Sequence, residues 1–85
     1  MMYCIYVGHY ESPAISKEDV AKLNRYGLRG YVFSRGDYYA LKVYSSPNLE
    51  RVNEVKMLLE QRGFTVEIET INLKKKSSYL VLHSL

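Results

Sequence analysis

The sequence repeats itself at an offset of 36 residues, and this repeat restricts the fold more than any other feature. Each half reads as a strand, a helix and a strand. Half of such a repeat cannot bury its own apolar face, so the two βαβ halves are expected to share one sheet. Equivalent residues at this offset are Ile5 and Leu41, Leu23 and Leu59, and Gly27 and Gly63.

Local patterns place the individual elements. Alternating apolar and polar side chains predict strands at 3–8, 30–33, 38–44 and 64–69, with a hairpin joining the middle two. Two helices lie between them, with Ser16 and Ser46 predicted as N-caps and Gly27 and Gly63 as left-handed ends. The order βαββαβ predicts an α+β, ferredoxin-like fold, in which both helices cover one face of a four-stranded antiparallel sheet.

The chain divides into one βαββαβ domain at 1–73 and a tail at 74–85. The two halves of the domain span 3–34 and 38–71. The formal net charge of +3 comes entirely from lysines 74–76, because residues 1–73 hold nine basic and nine acidic side chains. We expect the tail to form a basic turn followed by an appended strand. An electrically neutral body argues against binding nucleic acid through a broad basic surface.

The alternation also predicts an aromatic surface on the face that the helices leave open. Tyrosine combines a rigid apolar ring with a polar tip, a combination common at binding surfaces. The alternative is that these rings only fill a thin domain, or that the appended strand covers them. The predicted ligand-binding residues are Tyr6, Tyr31, Phe33, Tyr38, Lys42 and Tyr44.

The sequence offers little for catalysis, metal binding or membrane insertion. Cys4 is the single cysteine, and His9 and His83 have neither metal-ligand spacing nor an obvious nucleophile beside them. We therefore expect no catalytic residue, no metal and no cofactor. The N-terminus lacks the basic and long apolar segments of an export signal, and no run approaches the ~20 apolar residues of a membrane span, so a cytoplasmic location is expected.

The segment after the first strand resembles a known family. Val7, Gly8, Tyr10 and Ser12 follow the Val-Gly-x-aromatic-x-Ser signature of the SPOR (sporulation-related repeat) domain. The resemblance covers residues 3–71 and includes the duplicated βαβ halves. It implies a binding module that holds peptidoglycan glycan strands, stripped of stem peptides, on its open sheet face.

Other functions stay open. The run Ile5-Tyr6-Val7-Gly8 is similar to the first-strand motif of an RNA-recognition motif, which would use Tyr6 to stack on a base of single-stranded RNA. A small bacterial or phage regulator that binds a host protein is a third hypothesis. Exposed strand edges or the aromatic face could also support a homodimer.

Overall fold

A computed structural model of the chain describes residues 1–72, so the predicted lysine turn and appended strand lie outside the described residues. The four strands form one sheet in the order β2-β3-β1-β4, and neighbouring strands are antiparallel. The α+β, ferredoxin-like arrangement predicted from the repeat is confirmed. Its elements are β1 (Met2–Tyr10), α1 (Lys17–Arg25), β2 (Tyr31–Ser34), β3 (Tyr39–Ser46), α2 (Leu49–Gln61) and β4 (Val66–Ile71).

One apolar core joins the sheet to both helices. Its sheet side comes from β1 and β3, where Ile5 and Leu41 have no exposed surface. Leu23 of α1 and Leu59 of α2 are equally buried in the same cluster. Both helices therefore pack on one face of the sheet. Burying each side chain of this kind completely contributes about 1.5–3 kcal/mol to the free energy of folding.

The two helices end in the same way. Gly27 and Gly63 follow the helices with φ of +79° and +89°, a conformation that costs glycine little. The backbone N–H of the next residue then donates to a carbonyl five residues earlier. These hydrogen bonds, equivalent at the 36-residue offset, run from Leu28 to Leu23 and from Phe64 to Leu59, both at 3.0 Å.

The helix starts differ from the predicted caps. Ser16 is helical and buried, and its hydroxyl donates to the carbonyl of Pro13 at 2.7 Å, because a 3₁₀ turn over Pro13–Ser16 leads directly into α1. At α2 the cap is Asn48, whose Oδ1 accepts the N–H of Glu50 at 3.0 Å. Ser46 lies two residues earlier, and its hydroxyl oxygen accepts the N–H of Asn48 at 3.1 Å.

Gly8 and Tyr10 form a packed unit at the irregular end of β1. Gly8 has φ of +71°, and its N–H donates to the carbonyl of Thr65 at 3.0 Å. The Tyr10 ring lies directly against Gly8, and the Tyr10 hydroxyl donates to Asp19 of α1 at 2.5 Å. Burial and the Asp19 carboxylate raise the pKa of Tyr10. The Gly-x-aromatic spacing thus ties β1 to α1.

Replacing Gly8 by alanine should therefore destabilise the fold severely. A Cβ there would overlap the Tyr10 ring, and the positive φ adds its own strain. We expect the free energy of unfolding to fall by about 3 kcal/mol in Gly8→Ala, measured by urea denaturation. Gly27→Ala is the matched control, since its φ is also positive but no atom lies within 4 Å of the added Cβ. It should cost about 1 kcal/mol. Equal losses in the two variants would contradict this account.

Candidate functional site

The sheet face opposite the helices carries the candidate site. Cross-strand pairing sets a row across all four strands, in which Tyr31 lies opposite Lys42, Lys42 opposite Tyr6, and Tyr6 opposite Glu67. Paired residues point to the same side of a sheet, so this row defines the surface. We call it the open face; its members are Met2, Cys4, Tyr6, Tyr31, Phe33, Ala40, Lys42, Ser45, Glu67, Glu69 and Ile71.

Two aromatic rings stand exposed on the open face. Tyr31 is 57% and Phe33 43% exposed, and both lie on β2. Their pairing with Lys42 and Ala40 puts them on the side away from the helices, which confirms the predicted orientation. The Lys42 ammonium lies 5.8 Å from the centre of the Phe33 ring, within the range of a cation–π contact. This half of the open face therefore offers apolar rings beside a positive charge.

Tyr6 departs from the expectation of a bare ring. It lies on the predicted side, but only 5% of it is exposed. The Arg35 guanidinium lies 4.5 Å from its ring centre, and the Phe33 ring meets it edge-on at 6.1 Å. Its hydroxyl donates to Oε1 of Glu69 at 3.3 Å. Burial, with the Glu69 charge second, raises the pKa of Tyr6.

The covering of Tyr6 originates in the hairpin between β2 and β3. The Arg35 N–H donates to the carbonyl of Tyr38 at 2.8 Å, which closes a two-residue loop of Gly36 and Asp37. From this turn Arg35 reaches across the sheet, and its Nη1 bonds Oε2 of Glu69 on β4 at 3.1 Å. The Glu69 carboxylate therefore accepts from both Arg35 and Tyr6.

A second contact holds the same hairpin near the edge of the open face. The Tyr38 ring stacks on the His9 ring, with ring centres 3.9 Å apart and planes 24° from parallel. His9 Nε2 lies 3.4 Å from Oε1 of Glu67. Tyr38 is half-buried, so it contributes to the margin of the surface. The sequence did not indicate the roles of Arg35 and His9 in these contacts. Arg35 lies at a turn and His9 at the irregular end of β1, where the alternation of side chains carries no information.

Tyr44 points to the opposite side from that predicted. It pairs with Ile5 and packs against the core beneath the helices. The pairing of β1 with β3 shifts register between Ile5 and Tyr6, where Tyr6 pairs with Lys42. This β-bulge inserts Val43 as an extra residue and reverses the alternation beyond it.

Four of the six predicted residues nevertheless line one cleft. It lies where β3 runs past the start of β2, so that residues from both faces reach it, and its volume is about 580 Å³. Tyr6 belongs instead to a small neighbouring cluster with Cys4 and Ala40, against which Tyr38 packs. The cleft is lined by Arg29, Tyr31, Val32, Phe33, Lys42, Val43, Tyr44 and Ser45.

Within residues 1–72 no three histidine, cysteine, aspartate or glutamate side chains group as a metal site would require. The same residues contain no helix of the length and apolar character needed to cross a membrane.

Comparison with known proteins identifies the fold. No family model matches the sequence, and no curated protein matches it. Among solved structures, the chain is similar to the peptidoglycan-binding domain of the B. subtilis cell wall lytic enzyme CwlC. The TM-score is 0.66 at 14% sequence identity, over 81% of this chain and 90% of that domain. At this identity the similarity shows a shared fold of the SPOR-like type.

The difference in exposure between Tyr31 and Tyr6 can be measured by tyrosine nitration. With tetranitromethane, which attacks the phenolate, Tyr31 should be modified well before Tyr6, because Tyr6 is buried and its raised pKa leaves less phenolate at mildly alkaline pH. Peptide mass spectrometry gives the rate at each site. Arg35→Ala should accelerate nitration of Tyr6, whereas Arg29→Ala, which removes a cation outside this contact, should not. Equal rates for the two tyrosines in the unaltered protein would refute the described burial.

Proposed function

We propose that this protein is a non-enzymatic binding module that holds an extended glycan of the peptidoglycan type on its open face. The observation that carries the proposal is the exposed pair Tyr31 and Phe33 beside Lys42. Residues two apart on one strand are separated by about 7 Å, so an extended polymer can contact both rings at once. Tyr38 contributes at the margin of this surface, whereas Tyr6 is covered and Tyr44 lies on the helix side.

The chemistry of the surface suits a sugar chain. Flat rings pack against the apolar C–H face of a sugar, while hydroxyl and ammonium groups beside them satisfy its polar edge. Lys42 supplies such a group next to Phe33, and the Tyr31 hydroxyl supplies another. The fold supports the same conclusion, because the similar CwlC domain is described as peptidoglycan-binding.

The charges of the open face favour a glycan over RNA. Glu67 and Glu69 on β4 lie on the same surface as the rings and would repel a phosphate backbone. Arg35, which could have met a phosphate, is paired with Glu69. Tyr6, the ring that an RNA-recognition motif would stack on a base, is covered. We therefore rank single-stranded RNA as the second candidate ligand.

Sedimentation with purified peptidoglycan glycan strands, stripped of stem peptides, tests the proposal. We expect the unaltered protein to bind and the double variant Tyr31→Ala, Phe33→Ala to lose about tenfold or more in affinity, since each aromatic contact is worth about 0.5–1.5 kcal/mol. Met57→Ala is the matched control, because Met57 is 59% exposed but lies on α2. It should bind as the unaltered protein does.

In the same assay, the salt dependence of binding distinguishes a glycan ligand from single-stranded RNA. Binding to a glycan through rings and hydrogen bonds should change little between 50 and 200 mM salt, whereas binding to RNA would weaken steeply because counterions are released. No binding to glycan strands, or equal binding by the double variant, would exclude the proposed function.

A further inference from the structure

Two positive side chains line the cleft beside the exposed rings. Arg29 precedes β2 and is exposed, and Lys42 lies on β3 and is half-buried. The salt bridges within residues 1–72 involve other cations, so no described carboxylate pairs with either side chain. Every residue that lines the cleft is neutral or basic. Within the described part of the chain, the cleft therefore carries positive charge that its own lining does not offset.

The charges on this side of the sheet are divided between its two edges. Arg29 and Lys42 lie at the β2 side, whereas Glu67 and Glu69 lie on β4 at the opposite edge. A ligand with a negative charge on every unit would bring some of its charges near these carboxylates, which repel them. A ligand whose charged units alternate with neutral ones can place a charged unit at the cleft and a neutral unit near β4. The division of charge therefore favours isolated anionic groups on an otherwise neutral polymer.

Resting on the function proposed for the open face, we propose that the cleft recognises a free carboxylate of the glycan through Arg29 and Lys42. A guanidinium offers paired N–H donors that match the two oxygens of a carboxylate, and an ammonium adds a compact positive charge. Because the Lys42 ammonium lies 5.8 Å from the centre of the Phe33 ring, a sugar packed on that ring has the cation beside it. The cleft volume of about 580 Å³ accommodates a sugar together with an acidic substituent.

Peptidoglycan chemistry supplies a carboxylate of this kind. Its stem peptides are attached by an amide bond to the lactyl carboxyl group of muramic acid, which alternates with a neutral sugar along the strand. Hydrolysis of that amide adds water across the C–N bond, leaves a carboxyl group on the sugar and releases the amine of the peptide. The amide is neutral, whereas the carboxyl group is ionised at neutral pH. Amide hydrolysis is therefore the class of reaction that supplies this ligand, and the charge that it creates explains a preference for stripped strands.

A single carboxylate adds little salt dependence to binding. Release of about one counterion changes affinity by about fourfold at most between 50 and 200 mM salt, compared with a thousandfold or more for an RNA that makes many phosphate contacts. Carboxylate recognition is therefore compatible with the weak salt dependence expected of a glycan.

Neutralising the carboxylate on the ligand tests this recognition with the unaltered protein. Stripped glycan strands are compared, by sedimentation, with the same strands after their carboxylates have been converted to methylamides, which removes the charge and adds little bulk. We expect the methylamide strands to bind about tenfold more weakly, because the charge-assisted hydrogen bonds are lost. Equal affinity for both strands would overturn carboxylate recognition and leave the proposed function standing. No binding to either strand would overturn both.

The double variant Arg29→Gln, Lys42→Gln tests the residues. It should bind the stripped strands about tenfold more weakly than the unaltered protein, yet bind the methylamide strands equally well, since these carry no charge to pair. The matched control Lys17→Gln, Arg51→Gln removes two exposed cations from α1 and α2 and should keep full affinity for both strands. If the Arg29, Lys42 variant lost affinity equally for both strands, or the control lost as much as that variant, the assignment to these two residues would be wrong.

Discussion

The burial of one sheet face beneath two helices is the interaction on which the rest of the structure depends. Leu23 and Leu59, one from each half of the repeat, close over Ile5 and Leu41 in a single cluster without exposed surface. Neither helix could be covered by its own half alone. Because side chains alternate along a strand, turning one set inward sends the other set to the open face. The candidate site is therefore a consequence of the core.

One half of the open face is apolar and the other half is polar. On β2 the rings are exposed beside a cation, whereas on β1 and β4 the Tyr6 ring is covered and the carboxylates of Glu67 and Glu69 have nearby partners. The hairpin produces this division, since its tight turn returns Arg35 and Tyr38 over β1. The exposed rings are thereby concentrated on β2, beside the adjoining part of β3.

Much of this molecule can be predicted from the sequence alone. The repeat, the strand alternation and the glycines that end the helices are local signals, and together they led to the correct fold and to the outward orientation of Tyr31, Phe33 and Lys42. Local signals suffice there because each depends on residues a few positions apart. They could not supply the cap at Asn48, where several neighbouring side chains compete for the same backbone groups.

Only the tertiary structure decided the environment of Tyr6 and the direction of Tyr44. The bulge opposite Ile5 and Tyr6 exists only once β1 and β3 are paired, and it turns Tyr44 toward the helices. Likewise, the contact of Arg35 with Glu69 joins residues 34 positions apart, and no local pattern specifies which of several arginines will meet which carboxylate. Such contacts arise from the packing of strands already in place, and they determine which of the predicted rings remain accessible.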